Sequence, residues 1–412
     1  MVLVADRFVS SGAILDKQTS SSVATISENC HPVEPAIVRV RSVKSVTETI
    51  LDPVPVNTDG LTPGRLGRTE RLVADSELFK PAVRLFGSMD EDSSHTNVVP
   101  GSDEELDTAN VRGYDFRGEF DFGEMLDAYA TTGFQATQLA EAIDIAERIQ
   151  EADATVYLTF TSNIISSGLR ETVAYLVREG YVDVLITTSG SLTEDVIKTA
   201  KPFKMGKWDA DEASLRERGI NRLGNLFVPS DRYVWLEEYL YDFFDDFFAE
   251  EKIRTPTAFA RELGETLDDE DSVLKQAADN DVPVYCPALT DAEVGNFLYY
   301  YRQGYDSDVG IEILDDYDSL IEDGLLADTT GLIAVGGGVP KHHAIMTNLF
   351  RGGADYVVYI STGMEGDGSL SGAPPNEAVS WGKIKEKQTN YTQVEAEATL
   401  VFPLLVAEAF KR

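Results

Sequence analysis

The feature that most constrains this chain is a recurring unit: a short apolar strand, a turn of small polar residues, then a helix. Thr155-Val-Tyr-Leu-Thr-Phe160 is a β-branched and aromatic run, followed by Thr161-Ser-Asn-Ile-Ile-Ser-Ser-Gly168 and a helix from Leu169 to Arg178. Val182-Asp-Val-Leu-Ile-Thr-Thr188 repeats it, with Ser189-Gly-Ser191 as the turn and a helix from Leu192. Val282-Pro-Val-Tyr-Cys286 runs into Pro287-Ala-Leu-Thr-Asp291, and Gly331-Leu-Ile-Ala-Val335 into Gly336-Gly-Gly-Val-Pro340 and a helix over Lys341 to Phe350. Ala354-Asp-Tyr-Val-Val-Tyr-Ile360 closes the series and leads to a glycine- and acid-rich loop, Thr362 to Pro375. Parallel strands need such helical crossovers, and strands buried on both faces read as continuous apolar runs. The pattern predicts an α/β fold: one doubly wound, Rossmann-like parallel sheet of five or six strands, with its ligand crevice at the turns.

Around this frame the signals are weaker. Leu139, Ala142, Ile143, Ala146 and Ile149 recur at helical spacing before the first strand. Arg218 to Pro229 reads as a turn into a short strand, and Trp235 to Glu250 as an amphipathic helix. Residues 1–105 differ from the rest: the hydroxyl run Thr19 to Ser22, Pro32, Pro35, Pro53, Pro55, Pro63 and the acidic stretch Asp90 to Ser94 surround short apolar pieces without a sustained period. That composition predicts a mostly disordered extension, or an upstream artefact if translation starts at Met89, with the catalytic domain spanning 106–412.

Charge excludes whole classes of partner. With 71 acidic against 35 basic residues the formal charge is -36, so nucleic acid, whose phosphates need a local excess of Lys and Arg, is not an expected partner. The acids are scattered through ordinary helices, which fits adaptation to concentrated salt, where self-repulsion is screened. No run of about 18 apolar residues and no secretory leader pattern is present, which predicts no membrane span and a cytoplasmic location. Two cysteines, Cys30 and Cys286, give neither a disulfide framework nor a metal-binding spacing.

Several residues carry chemistry. In Glu377-Ala-Val-Ser-Trp-Gly-Lys-Ile384 a lysine follows a tryptophan and a glycine in a loop-like setting. A lysine amine is a nucleophile only when deprotonated, which an apolar wall such as Trp381 favours; a surface lysine lying its stem on a ring reads the same way. Ser162, Asn163, Ser166 and Ser167 stand at a helix start, where backbone N–H groups hold a phosphate or where serine and asparagine simply cap. Gly336-Gly337-Gly338 permits close backbone approach to a ligand or tight packing of strand against helix. His342 is placed one residue into the following helix, able to shuttle a proton. Glu194, Asp291, Asp367 and Glu377 are carboxylates in crevice-side loops, in a chain where most acids are solvated.

Together these pieces resemble the deoxyhypusine synthase family. The resemblance runs from about Val111 to Lys411 and rests on Val111-Arg-Gly-Tyr-Asp-Phe, Thr131-Thr-Gly-Phe-Gln-Ala-Thr137, Thr161-Ser-Asn-Ile-Ile-Ser-Ser-Gly-Leu-Arg-Glu171, Gly336-Gly-Gly-Val-Pro-Lys-His-His343, Gly353-Ala-Asp-Tyr356 and Ala378-Val-Ser-Trp-Gly-Lys383, in that order. It implies an NAD-dependent enzyme that oxidises spermidine, captures the aminobutyl group as an imine on its own lysine, and passes it to one lysine of the hypusine-containing translation factor. Lys383 matches the nucleophile and His342 the histidine beside the reacting amine. The NAD positions carry over to Ser162, Asn163, Ile164, Ile165, Ser166, Thr188, Ser189, Gly190, Glu194, Asp291, Gly337, Thr362, Gly363, Glu397 and Ala398, with Glu194 and Glu397 on ribose hydroxyls. The amine pocket carries over to Thr193, Glu194, Asn296, His342, Tyr359, Gly368, Ser369, Leu370, Glu377 and Trp381. A homotetramer with active sites between paired subunits is also implied.

The departures fall in that pocket. Thr193, Asn296 and Leu370 stand where the family usually places acids against the spermidine ammoniums. Each lost carboxylate removes a charge-assisted contact of about 1.5–3 kcal/mol, which points to a donor with different ends, such as agmatine. Two alternatives remain: transfer to a free diamine, as in homospermidine synthase, and a family member that binds NAD without turnover.

Overall fold

The computed structural model describes residues 106–411. The reading of residues 1–105 as a disordered extension or an upstream artefact lies outside the described residues.

Six strands form one parallel sheet: β1 (Thr155–Phe160), β2 (Val184–Ile186), β3 (Val284–Tyr285), β4 (Thr330–Val335), β5 (Tyr356–Ile360) and β6 (Tyr391–Val394). Their order is β3-β2-β1-β4-β5-β6, and every pairing is parallel. This is the doubly wound arrangement that the strand-turn-helix repeat predicts, and strand order reverses between β1 and β4, where the crevice of such a sheet opens. At that point the turn after β4 meets the turn after β1: Gly336 has φ +93°, and a Cβ there would lie 3.0 Å from Thr161 Oγ1.

The alternation of side chains explains why both faces are apolar. Val156, Leu158 and Phe160 of β1 belong to one core, with Ile333, Val335, Val358 and Ile360. Tyr157 belongs to the other, with Leu332, Ala334, Val357 and Tyr359. Helix α1 (Phe134–Glu151) buries Leu139, Ala142, Ile143, Ala146 and Ile149 against the first core, as its spacing predicts. The helices that follow the strands are α2 (Ser162–Ser166) with α3 (Arg170–Arg178), α4 (Ser189–Ala200), α5 (Glu293–Gly304), α6 (Gly338–Phe350), α7 (Pro375–Ser380) and α8 (Ala398–Ala409). None of the described helices is long and apolar enough to cross a membrane.

Local details differ from the sequence reading for identifiable reasons. Arg218 to Pro229 holds two strands, Ile220–Leu223 and Leu226–Pro229, paired antiparallel across Gly224-Asn225. Gly224 supplies the positive φ (+59°) that a two-residue hairpin turn requires. The amphipathic helix expected over Trp235 to Glu250 starts at Asp231 and ends at Phe247. Helix α6 starts at Gly338, so His342 sits in its second turn rather than one residue in. The stretch before Lys383 is a short helix, α7, rather than loop.

Candidate active site

The position of Lys383 is set by how α7 ends. Gly382 adopts φ +71°, Gly382 N–H donates to Val379 O (2.9 Å), and Lys383 N–H donates to Ala378 O (3.0 Å). This paired closure uses a glycine just past the helix, so Trp-Gly-Lys is a conformational instruction as well as a chemical motif. On its other side Lys383 O accepts from Ala354 N (3.0 Å). Held this way, Lys383 is only 8% exposed, and its Nζ stands 3.2 Å from His342 Nε2.

Both groups open into a cavity of about 270 Å³ lined by Lys341, His342, Ile345, Tyr359, Leu370, Ala373, Pro374, Glu377, Ala378, Trp381 and Lys383. Burial, then the charge of Lys383, hold the His342 imidazole below its ordinary pKa, so at neutral pH it is uncharged and able to accept a proton. The Trp381 ring centroid lies 5.4 Å from Lys383 Nζ, but the residue is 66% exposed; it forms a lip rather than the apolar wall expected of it. Buried Tyr359 forms the floor, its hydroxyl without a partner among the described residues. Glu377 is the one carboxylate of the lining.

Lys341 was not singled out from the sequence. It is 2% exposed, its Nζ donates to Ala373 O (2.8 Å) and sits 4.0 Å from the Tyr359 ring centroid. Burial lowers its pKa to about 8, with Glu377 opposing. Its amine is already committed to a carbonyl and a ring face, whereas the amine of Lys383 faces a histidine. Nothing local in Pro-Lys-His-His signals this burial.

The loop over residues 362–374 is clamped onto the glycine turn. Gly338 N donates to Ser371 Oγ (3.1 Å), and Ser361 Oγ donates to Ser371 O (3.0 Å). A Cβ on Gly337 would lie 2.4 Å from Ser371 Cα, so at Gly337 close packing accounts for the glycine. Gly363 N–H donates to Ser361 Oγ (3.0 Å), and Thr362 beside it is exposed.

The polar turns on the other half of the sheet form a second cluster. Thr161 is the residue before α2 and makes no side-chain cap, whereas Ser167 Oγ donates to Ile164 O (2.8 Å) and accepts from Leu169 N–H (3.2 Å) between α2 and α3. Ser162 touches the start of α4, since a Cβ on Gly190 would lie 2.8 Å from Ser162 Cβ. Ile164 and Ile165 are buried in the core, which leaves only their backbone for a ligand. Thr188 precedes α4 without capping it, and Ser189 Oγ is buried without a partner among the described residues. Ser166 Oγ donates to Glu194 Oε2, and burial raises the Glu194 carboxyl to about 7 against the opposing effects of Ser166 and Lys198. Asp291 lies exposed between β3 and α5; Asn163 is exposed on α2. Glu397 precedes α8 without capping it, and Ala398 opens that helix.

The cavity around Lys383 thus gathers His342, Tyr359, Leu370, Glu377 and Trp381, and its lining does not include Thr193, Glu194, Asn296, Gly368 or Ser369. Thr193 is buried on α4 and its Oγ1 accepts from Val294 N (3.4 Å). Asn296 is exposed on α5 and donates to Glu293 (3.2 Å). Gly368 and Ser369 are exposed on the loop before α7, and Asp367 there accepts from Ser369 N–H (2.6 Å).

Comparison with known proteins follows the same outline. The family model "Deoxyhypusine synthase" matches residues 124–409. A "Probable deoxyhypusine synthase" of Halobacterium salinarum is 81% identical over 324 residues, covering 78% of this chain and 98% of that protein. One from Thermococcus gammatolerans is 44% identical over 326 residues, covering 75% and 97%. Among solved structures, a protein from Entamoeba histolytica assigned to the deoxyhypusine synthases superposes with a TM-score of 0.54 at 27% identity, covering 73% of this chain and 96% of that one.

Proposed function

Because the chain belongs to the deoxyhypusine synthase family, we propose that it transfers an aminobutyl group from a polyamine donor, through an imine on Lys383, to one lysine of the hypusine-containing translation factor, with NAD as cofactor. The observation that carries this reading is the 3.2 Å approach of Lys383 Nζ to His342 Nε2 inside a largely apolar cavity.

The residues of the polar turns fit a dinucleotide. Helices α2, α4 and α8 begin without a side-chain cap, leaving N–H groups at the crevice. Ser189 Oγ is a buried hydroxyl without a partner among the described residues, and the ribose positions are Glu194 and Glu397. Bound there, NAD would supply a hydride acceptor for the donor carbon and, in its reduced form, a hydride source for the final imine.

This chain's own residues do the rest. The Lys383 amine adds to the oxidised carbon of the donor; its C–N bond forms as the bond to the departing amine breaks, and the four-carbon unit stays on Lys383 as an imine. His342 Nε2 takes the proton released from the attacking amine and returns it to the leaving one. The acceptor lysine then displaces Lys383 by the same exchange. Glu377 pairs with the free ammonium of the donor. The cavity lining lacks Thr193 and Asn296, which supports a homotetramer in which a neighbouring subunit's turns complete the pocket. Leu370, Thr193 and Asn296 in place of acids favour a donor such as agmatine over spermidine. The scattered acids suit a cytoplasm of high salt.

Reductive trapping tests the reading. Protein incubated with NAD and donor, then treated with cyanoborohydride and digested, is expected to carry the added mass on the peptide containing Lys383. An adduct on Lys341, or none with either donor, overturns it.

A further inference from the structure

Helix α2 has only five residues, too few to persist by its own hydrogen bonds. Its stability comes from one face of α4. Gly190, Glu194 and Lys198 follow one another at four-residue intervals, so they share a face of that helix. Gly190 abuts Ser162 at the start of α2, and Glu194 accepts from Ser166 at its end. Lys198 Nζ donates to Ile165 O (2.5 Å), Ser166 O (2.8 Å) and Ser167 O (2.8 Å). An ammonium has three donors and no acceptor, and here each meets one of three consecutive carbonyls that have left the helical pattern. A cation at a helix C-terminus also complements the helix dipole. The Phe203 ring centroid lies 5.3 Å from Nζ. Burial lowers the Lys198 pKa, as expected of a charge kept inside the fold only because its hydrogen bonds are complete.

We infer that Lys198 is a positioning residue for the cofactor: it fixes the carboxyl end of α2, and thereby aims the backbone N–H groups of Ser162 and Asn163 into the crevice from the far side, while Ile164 N–H is turned back onto Thr161 O (3.0 Å). It touches neither donor nor reacting atoms. The inference rests on the proposed NAD site.

The donor count supplies the test. Glutamine keeps two donors at this position and methionine none, so affinity for NAD should fall in the order wild type, Lys198→Gln, Lys198→Met. Calorimetric titration of NAD in molar potassium chloride is expected to show a loss of about tenfold or more for Lys198→Met and a smaller loss for Lys198→Gln. In turnover assays the KM for NAD should rise while kcat at saturating NAD stays within about threefold. A merely structural role would lower the melting temperature and leave NAD affinity in place. A folded Lys198→Met with unchanged NAD affinity overturns the inference; if that variant does not fold, unchanged affinity in Lys198→Gln does so. Wild-type protein that does not bind NAD overturns the functional reading itself, and the inference with it.

Discussion

Lys198 and Lys383, buried in the two halves of the sheet, are held in opposite ways. On the β1–β3 side, buried charge is saturated with partners. Asp195, 1% exposed, accepts from Arg170 Nε (2.6 Å), Ser272 Oγ (2.8 Å) and the backbone N–H groups of Val273 (3.2 Å) and Leu274 (2.8 Å). Lys198 uses all three of its donors. On the β4–β6 side, Lys383 faces a single histidine nitrogen and the Tyr359 hydroxyl has no partner among the described residues. There the order comes from backbone: the closure of α7 at Gly382 and the clamp of the 362–374 loop through Ser371. A saturated network is rigid and unreactive, whereas an unsatisfied amine held by its backbone is rigid and available. Under the proposed function the saturated cluster suits holding the cofactor, whose site also reaches Gly337, Thr362, Gly363, Glu397 and Ala398 beyond β4, β5 and β6, and the unsatisfied amine suits bond exchange.

That division breaks if variants on the two sides behave alike. Lys383→Ala is expected to cut turnover on the order of a thousandfold or more, because no other free amine stands in its place, while NAD affinity stays within about twofold. His342→Gln should reduce kcat by about a hundredfold, the range for losing a positioned acid–base group, again with little effect on NAD binding. Loss of NAD affinity in either variant, read by the same titration, would show that the halves are not separate.

The frame of this division is legible in the sequence. Continuous apolar runs mark β1, β4 and β5 nearly to the residue, and the Trp-Gly-Lys order encodes the turn that presents Lys383. Strand β6 was not read, because Tyr-Thr-Gln-Val is short and half polar; Thr392 is buried only through its bonds to Gln138 (2.7 Å) and Glu141 (3.0 Å) on α1. The burial of Lys341 and Lys198 was equally hidden. Their partners, Ala373 O and the carbonyls of residues 165–167, are backbone atoms more than thirty residues away, and backbone acceptors leave no trace in side-chain spacing. Thr193 and Asn296 could be placed by motif but not assigned to the Lys383 cavity, since a motif gives order along the chain and not which residues share a lining.

The β1–β3 half also carries a pH signature. Glu194 has its carboxyl raised from an ordinary 4.5 to about 7. Between those values the folded state holds a proton that the unfolded chain has released, so stability falls as pH rises through this window and levels off above it. The share of solvent Glu194 keeps limits the effect to about 2 kcal/mol. Glu194→Gln should remove that slope; urea denaturation of both proteins from pH 4.5 to 8 checks it, and parallel curves would refute the assignment.

The smallest expected effect bears on donor choice in the reactive half. Leu370 is 41% exposed at the edge of the cavity, so an acid there would meet a donor ammonium in partly solvated surroundings. An exposed ion pair contributes about 0.2–1 kcal/mol, and the upper end corresponds to roughly a fivefold change in an equilibrium constant. Leu370→Asp should therefore lower the KM for spermidine relative to agmatine by no more than about fivefold, with kcat unchanged for both. The discount matters to the argument, because a carboxylate buried at this position would be worth far more. A change of a hundredfold would mean that Leu370 is covered in the working enzyme, and would place a neighbouring subunit over the cavity. No change at all would leave donor selection to Thr193 and Asn296 on the opposite half, and the separation of binding from chemistry would then hold for the cofactor but fail for the amine.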